Sequence, residues 1–550
     1  MNKNTFNIII AATVLTYLLG MFCIPLMDID AAQYASISRE MLERKSYLQL
    51  YDLGKDYLDK PPMLFWLSAV SMKIFGVYDW AYRLPSFLFS LIAIYSTYRL
   101  AYIFYKKEIA LLSALVLATS QAMFLINHDV RTDTMLMGWV AFSLWQLAAW
   151  FATNKWKNFL LGFIGIAGGM MTKGPIALMV PAFALVPHFI LRREWKQFFR
   201  WEYLLGIIII AIALIPMSIG LYEQFDKHPG KIINHVPIQS GLRFYYWTQS
   251  FGRYTGENSF KEMNEFTFLL QNMLWSFLPW IIFFLIGLIM NAGRLIQDKF
   301  KLTQKEEWIS TGGFIITYCI LARSQAQLPH YIFVVFPLAA IVTANFLYKL
   351  LFTEEFKKLR NVLSVFHFFI FSLLWMAVIL LMYWPFNTIP KYVSIVALVC
   401  FAGYLFILFR KNSKLPKLLP AACFTVIGVN IFLNTAFYPS LLKYQKGSAF
   451  ATYIEKNQLD KNNIVLLDEN IGHSFHFYSK HIYPIVSVNQ LQKNEMVIAK
   501  KSSLPVIQGR FSTVSIITEI KTYGVTQLSL PFLNPQGRDK ELDTYVLVKL

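Results

Sequence analysis

The chain has 550 residues, of which 56% are hydrophobic and only 15% are charged. Soluble proteins carry about 25% charged residues, so this composition argues against a soluble globular protein and indicates one that crosses a membrane repeatedly. The net charge of +19 does not predict nucleic-acid binding, because the basic residues lie mostly in short loops between apolar segments.

Long apolar segments recur along the chain, and they predict a helical membrane protein with about 13 transmembrane helices. The first is interpreted as an uncleaved transmembrane helix rather than a signal peptide, because no small-residue cleavage site follows it. The predicted spans lie near residues 5–26, 80–104, 108–126, 132–153, 158–172, 175–191, 203–222, 266–290, 308–322, 330–350, 361–382, 391–410 and 417–437.

Lysine and arginine residues occupy every second loop between these spans. The basic loops are Lys106/Lys107, Lys155/Lys157, 192–200, 294–305, 349–360 and 410–417. Because basic loops stay in the cytoplasm, this alternation predicts a cytoplasmic N-terminus. An odd number of spans then places the C-terminal segment on the outer side.

The first outer loop, residues 27–79, contains two predicted helices. Apolar side chains repeat at helical spacing over 34–42, which predicts an amphipathic helix lying in the membrane interface. A second, almost wholly apolar helix is predicted over 61–75, with Asp59 as its N-cap and Gly76 just past its end.

Near residue 440 the long apolar segments end, and short strand-like segments among polar turns follow. We therefore divide the chain into a transmembrane domain, residues 1–439, and a soluble α/β domain, residues 440–550. His473 and His476 have weak metal-like spacing and are interpreted as surface histidines. Strands are predicted at 463–468, 513–517 and 544–550.

Carboxylates cluster on the predicted outer side. Asp28 and Asp30 follow the first span, and a carboxylate there could accept a proton from an attacking hydroxyl. Asp129 and Asp133 lie one helical turn apart at the start of the fourth span, so they can share a face. The alternative for both pairs is ordinary helix capping, and the pattern leaves it open.

Cations and polar groups fall on the same side. Lys60, at the start of an apolar helix, could meet a lipid phosphate as a point charge, or could simply extend to the interface. The other candidates are Arg131, Lys173, Arg243, Arg253, Gln327, His330 and Tyr331. Together they give the outer face cations suited to an anionic headgroup.

The order of these motifs resembles the lipid A aminoarabinose transferases, within the protein mannosyltransferase-like group (glycosyltransferase family 39). The segments that carry the resemblance are Asp30-Ala-Ala-Gln-Tyr34 with Arg39-Glu40-Met41-Leu42, Asp59-Lys60-Pro61, Arg131-Thr-Asp133, Gly169-Met-Met-Thr172-Lys173-Gly174-Pro175, Ser276-Phe-Leu-Pro279-Trp280, Gln327-Leu-Pro-His330-Tyr331 and His473-Ser-Phe-His-Phe-Tyr478. The resemblance covers most of the chain and is strongest up to about residue 345.

The resemblance implies a C-type glycosyltransferase fold in a bacterial inner membrane, with the active site and the C-terminal domain in the periplasm. The donor would be a sugar on undecaprenyl phosphate, transferred with inversion to lipid A, a glycan or a protein. Membrane lipids are the other expected partners, and nucleic acid is not expected as a partner. The expected catalytic residues are Asp30 and Asp133, the donor-phosphate ligands Lys60, Arg253 and Lys173, and the substrate contacts Tyr34, Asp59, Asp129, Arg131, Gln327, His330 and Tyr331.

The chain departs from these relatives at three positions. Ala31 follows Asp30 where many relatives have glutamate, Asp59 replaces a glutamate, and Ser250 stands where the aminoarabinose transferases have a histidine. The departures count against a divalent metal site and against aminoarabinose as the sugar, so no cofactor is firmly implied. The competing function is a transporter or flippase for lipid-linked sugars, which would place its polar residues near the bilayer midplane.

Overall fold

The computed structural model describes residues 3–234, 236–252, 265–303, 306–386, 390–410 and 416–550. Within these ranges, eight helices are long and apolar enough to cross a membrane, which confirms a multi-pass membrane protein. They are Asn4–Cys23, Asp79–Phe104, Thr132–Thr153, Glu202–Asp226, Pro329–Phe352, Lys357–Tyr383, Lys391–Phe409 and Leu418–Tyr444. Four shorter apolar helices accompany them, and the count of about 13 spans stays a prediction.

The helices in the first part of the chain supply much of the site. They are α1 (Lys3–Cys23), α2 (Asp30–Arg44), α3 (Met63–Phe75), α4 (Asp79–Phe104), α5 (Lys107–Ala118), α6 (Gln121–Leu125), α7 (Thr132–Thr153), α8 (Trp156–Lys173), α9 (Ile176–Arg192) and α10 (Glu202–Leu221). The main later helices are Phe268–Ser276, Ile281–Gln297, Ile309–Leu321, Phe336–Phe352, Lys357–Tyr383, Lys391–Phe409, Leu418–Phe432, Lys446–Lys456, His473–Ser479 and Leu504–Arg510.

Two predicted spans are interrupted. The segment 108–126 forms α5 and the short α6, which are separated at Thr119 and Ser120. The segment 266–290 forms two helices on either side of Pro279, whose nitrogen has no hydrogen to donate to a continuing helix.

Both helices predicted in the first outer loop are present, as α2 and α3. α2 is packed against protein on both of its sides and its residues 34–41 are buried, and its position in the membrane interface stays a prediction. It lies between α3 and the helix His473–Ser479. Gly76 ends α3 at a φ of 92°, as expected, but Asp59 does not cap the helix.

The C-terminal part of the chain forms a five-stranded mixed sheet, in the order β6-β5-β7-β9-β8. Its strands are β5 (Ile464–Leu467), β6 (Ile485–Val486), β7 (Met496–Lys500), β8 (Ser515–Thr522) and β9 (Asp543–Lys549). The four earlier strands form two hairpins, β1 (Tyr51–Asp52) with β2 (Lys55–Asp56) and β3 (Lys231–Ile233) with β4 (Val236–Ile238). The three predicted strands of the C-terminal domain correspond to β5, β8 and β9. The fold class is thus confirmed as a helical membrane protein with a small C-terminal α/β domain.

The interpretation of His473 and His476 as surface histidines is wrong. His476 is fully buried, and the side chain of His473 is only 14% exposed. The helix that carries them packs on α2, so the C-terminal sheet domain and the first outer loop share an interface.

Candidate active site

Two carboxylates and one arginine meet where α2 and α7 begin. Asp30 starts α2, and its Oδ2 accepts a hydrogen bond from Arg131, which immediately precedes α7 (2.5 Å). Arg131 also donates from Nε to Oδ2 of Asp129 (3.1 Å). One guanidinium therefore holds two acidic side chains that are about one hundred residues apart in the sequence.

A second ion pair lies in the first turn of α7. Asp133 pairs with Lys173, the last residue of α8, and the side chain of Asp133 is 2% exposed whereas that of Lys173 is 16% exposed. His330 links the two pairs, with Nδ1 3.3 Å from Arg131 and Nε2 3.5 Å from Asp133. Because arginine can only donate, Nδ1 of His330 is the acceptor and Nε2 carries the proton that faces Asp133.

The helix-capping alternative for these carboxylates is wrong. Ile29 and Arg131 are the N-caps of α2 and α7, and neither helix receives a side-chain capping hydrogen bond. The carboxylates instead join elements that are distant in sequence, which is the arrangement expected of a site assembled by the fold.

Lys60 lies beside this cluster. Its Nζ is 2.8 Å from Oδ2 of Asp59, and Gln249 fixes Asp59 by donating to its carbonyl oxygen (2.8 Å) and to Oδ1 (3.1 Å). The ring of Tyr331 lies under Lys173, with Nζ 4.0 Å from the ring centroid. The two lysines thus have fixed positions set by carboxylates and an aromatic ring.

These residues line a two-armed cavity, here called the outer cleft. Its polar arm, of about 340 Å³, is lined by Asp30, Tyr34, Arg243 and His330. Its apolar arm reaches Asp133 and Lys173, and its other walls include Leu136, Ile176, Met179, Leu321 and Val334. Both arms are lined by Asp59, Lys60, Gln249 and Tyr331, so the lysine stands at their junction.

The charged groups around the polar arm keep one another ionised. Burial raises the pKa of Asp129, but the charge and the hydrogen bond of Arg131 outweigh burial and lower it overall. Burial likewise lowers the pKa of Arg131, but Asp129 and Asp30 raise it overall. Desolvation lowers the pKa of His128 to about 3, so this histidine is neutral at physiological pH. Asp129 and Arg131 are therefore both charged when the cleft is empty.

The fold brings together most of the residues expected from the sequence. Gln327 is an exception, because its amide donates to the carbonyl oxygens of Ala322 and Ser324 and orders the turn before His330. Arg253 lies outside the described residues. Sequence reasoning missed Gln249 and Phe244, which line both arms, because nothing in a mixed polar and aromatic loop distinguishes them.

Within the ranges that the structure describes, no group of three or more histidine, cysteine, aspartate or glutamate side chains is arranged to hold a metal ion. Asp30, Asp129 and Asp133 are each engaged by a cation of the protein itself.

Comparison with known proteins confirms the resemblance. The model of the family described as dolichyl-phosphate-mannose-protein mannosyltransferase matches residues 59–219. The undecaprenyl phosphate-alpha-4-amino-4-deoxy-L-arabinose arabinosyl transferase of Wigglesworthia glossinidia brevipalpis is 26% identical over 62% of this chain and 59% of that protein. The chain thus spans less than two thirds of that transferase. An uncharacterised protein of Aquifex aeolicus is 25% identical over 86% of this chain and 85% of its own length.

Two solved structures show the same fold. The crystal structure of ArnT from Cupriavidus metallidurans bound to undecaprenyl phosphate has a TM-score of 0.76 at 16% identity, covering 100% of this chain and 98% of that one. The apo structure of the same protein has a TM-score of 0.72 at 16% identity, covering 98% and 97%. The chain therefore has the C-type glycosyltransferase fold of these proteins.

Proposed function

We propose that this chain is a glycosyltransferase that moves a sugar from undecaprenyl phosphate to an acceptor, with inversion, in the bacterial inner membrane. The observation that carries the proposal is the outer cleft, in which Lys60 stands between an apolar arm and a polar arm that contains Asp30. An amphipathic donor would fit this cleft, with its polyprenyl chain in the apolar arm, its phosphate at Lys60 and its sugar in the polar arm. The names of the matched transferases and the lipid in the matched crystal structure support the same donor.

The donor phosphate would lie between Lys60 and Lys173. As the sugar leaves, negative charge grows on the phosphate oxygen, and fixed cations in a partly dry cleft stabilise that charge. Asp133, buried against Lys173, would keep this lysine charged and oriented rather than touch the sugar. Arg253 remains a proposed further ligand of the phosphate.

Asp30 would act on the acceptor. Arg131 holds its Oδ2, whereas Oδ1 makes no hydrogen bond within the described part of the chain and lies at the polar arm. If the acceptor is a hydroxyl group, Oδ1 accepts its proton as the oxygen attacks the anomeric carbon. If the acceptor is an ionised phosphate, Asp30 positions it instead. Tyr34, Asp59, Asp129, Arg131, His330 and Tyr331 would shape the sugar and acceptor sites.

The orientation of the chain in the membrane is part of the same proposal. With basic loops in the cytoplasm, the outer cleft and the C-terminal domain, residues 440–550, lie in the periplasm. Lipid A, a glycan and a protein are the candidate acceptors there. A flippase would need its polar groups near the bilayer midplane, whereas Asp30, Lys60 and Asp133 gather at one end of the helices.

The test is transfer by the purified full chain in liposomes. A panel of undecaprenyl-phosphate sugars is supplied with lipid A, glycan lipid or unfolded protein as acceptor, and products are read by mass spectrometry. We expect one donor to yield undecaprenyl phosphate and a glycosylated acceptor in equal amounts. If a donor crosses the bilayer but no donor is cleaved, the proposal is refuted.

A further inference from the structure

A large groove of the membrane domain lies outside the outer cleft. It runs between α4, α7 and α8 and has a volume of about 1180 Å³. Its walls are mostly apolar and aromatic, including Leu91, Phe142 and Leu161, and its charged residues are Arg99, Lys155 and Lys157. No acidic side chain lines it in the part of the chain that is described.

The groove and the outer cleft reach opposite ends of α7. This helix has 22 residues, which at 1.5 Å per residue makes it about 33 Å long, enough to cross the hydrocarbon layer. Asp133 lies in its first turn, whereas Lys155 and Lys157 come just after its last residue, Thr153. The basic end of the groove therefore faces the other membrane surface.

Arg99 is the deepest cation in the groove. Its guanidinium donates to the hydroxyl of Tyr95 (2.9 Å) and lies 4.8 Å from the ring of Trp145, which places it beside the C-terminal half of α7. Its partners in the described part of the chain, Tyr95 and Trp145, are uncharged, although ionisable residues within a membrane normally pair with an opposite charge. An anion entering the groove would supply that charge.

Buried polar atoms in the same groove also lack a partner. The Oγ of Ser96 and the Oε1 of Gln146 make no hydrogen bond, and both residues are at least 97% buried. The indole nitrogen of Trp139 is likewise buried and unpaired. A buried polar group without a partner costs roughly 1–3 kcal/mol, so a small rearrangement that turned these three groups toward a polar occupant of the groove would be favoured.

We propose that this groove binds one anionic glycerophospholipid of the bilayer. The phosphate lies among Arg99, Lys155 and Lys157, the glycerol and ester groups face Ser96 and Gln146, and the acyl chains follow the apolar wall past Trp139. Basic pockets between transmembrane helices bind anionic headgroups in this way, whereas a partner helix would leave three cations unneutralised. The site does not depend on the proposed transferase activity.

The test is native mass spectrometry of the full chain, delipidated in detergent and titrated with dioleoyl phosphatidylglycerol or dioleoyl phosphatidylcholine. We expect phosphatidylglycerol to bind saturably and about tenfold more tightly, because the charged headgroup is the main difference between them. Arg99→Gln should remove this preference, Arg99→Lys should keep most of it, and Lys358→Gln, on an exposed lysine of another basic loop, should not change it.

A second variant distinguishes loss of the lipid site from misfolding of Arg99→Gln. Lys155→Gln combined with Lys157→Gln changes only exposed side chains, so it should fold and still lose most of the preference. Equal binding of the two lipids by wild type would overturn the proposal. So would a preference that survives in both variants, or a groove that takes undecaprenyl phosphate but no phosphatidylglycerol.

Discussion

Asp28 and Ser474 are 446 residues apart, yet the carboxylate of Asp28 accepts two hydrogen bonds from Ser474, one from the backbone nitrogen (2.9 Å) and one from Oγ (2.6 Å). Asp28 precedes the proposed catalytic Asp30 by only two residues. The C-terminal sheet domain is thereby tied to the start of α2, and it helps to fix the position of Asp30.

We expect Ser474→Ala to weaken this link without removing it, because the backbone nitrogen still donates to Asp28. Loss of one hydrogen bond to a buried carboxylate costs about 1–3 kcal/mol, so thermal unfolding in detergent should occur at a lower temperature. Transfer should slow while the affinity for undecaprenyl phosphate stays the same. Ser502→Ala, at an exposed position of the same domain, is the control. Unchanged stability and rate in Ser474→Ala would show that the link has no mechanical role.

His473 makes the same interface sensitive to pH. Its Nε2 lies 3.1 Å from Oδ1 of Asp52. Burial lowers the pKa of His473, but Asp52, with Asp28 and Asp30 further away, raises it overall. The protonated ring is thus stabilised by folding. Its contribution to the free energy of unfolding is complete below the unfolded pKa of about 6.5 and is lost as pH rises through the folded pKa.

Thermal unfolding measured between pH 5.5 and 9 tests this expectation. Wild type should lose stability as pH rises above about 6.5, and His473→Gln should lose less over the same interval. The exposed His228 provides a control, since His228→Gln should follow wild type. Parallel curves for wild type and His473→Gln would contradict the assignment.

Lys60 is predicted to stabilise the leaving phosphate. Removing one such donor in other enzymes lowers kcat by about 100- to 1,000-fold, and we expect a loss of that size in Lys60→Ala. Lys55→Ala changes a neighbouring exposed lysine and should be nearly neutral. The measurement is single-turnover release of undecaprenyl phosphate. A loss confined to acceptor affinity would place Lys60 elsewhere in the mechanism.

The buried pair of Asp133 and Lys173 should behave as one unit. Asp133→Asn and Lys173→Gln each leave one buried group without its charged partner, which costs about 3–5 kcal/mol, whereas the double variant leaves none. The double variant should therefore unfold at a higher temperature than the sum of the single effects predicts. Additive losses in thermal unfolding would mean that the two residues do not depend on each other.

The sequence predicted the parts of this molecule that depend on local patterns. Apolar periodicity located α2, α3 and α7, and the order of short motifs indicated the fold. It could not show that Asp28 meets Ser474 or that Asp52 meets His473, because no local pattern encodes contacts between distant segments.

Some local rules also failed for physical reasons. Asp59 and Asp133 have the residue type and position of helix caps, but their carboxylates are held by lysines. The central strand β7 was missed because its short apolar segment lies between polar, lysine-containing stretches. It is stabilised by strands on both of its edges, β5 and β9, rather than by its own pattern.

The most direct test of the proposed mechanism is transfer by Asp30→Asn. With the donor and acceptor found active for wild type, single-turnover transfer is compared among wild type, Asp30→Asn and the exposed control Asp539→Asn. We predict that Asp30→Asn binds undecaprenyl phosphate and unfolds at the wild-type temperature, but transfers at least about 100-fold more slowly, as expected when a general base is lost. Transfer by Asp30→Asn at the wild-type rate would contradict the account.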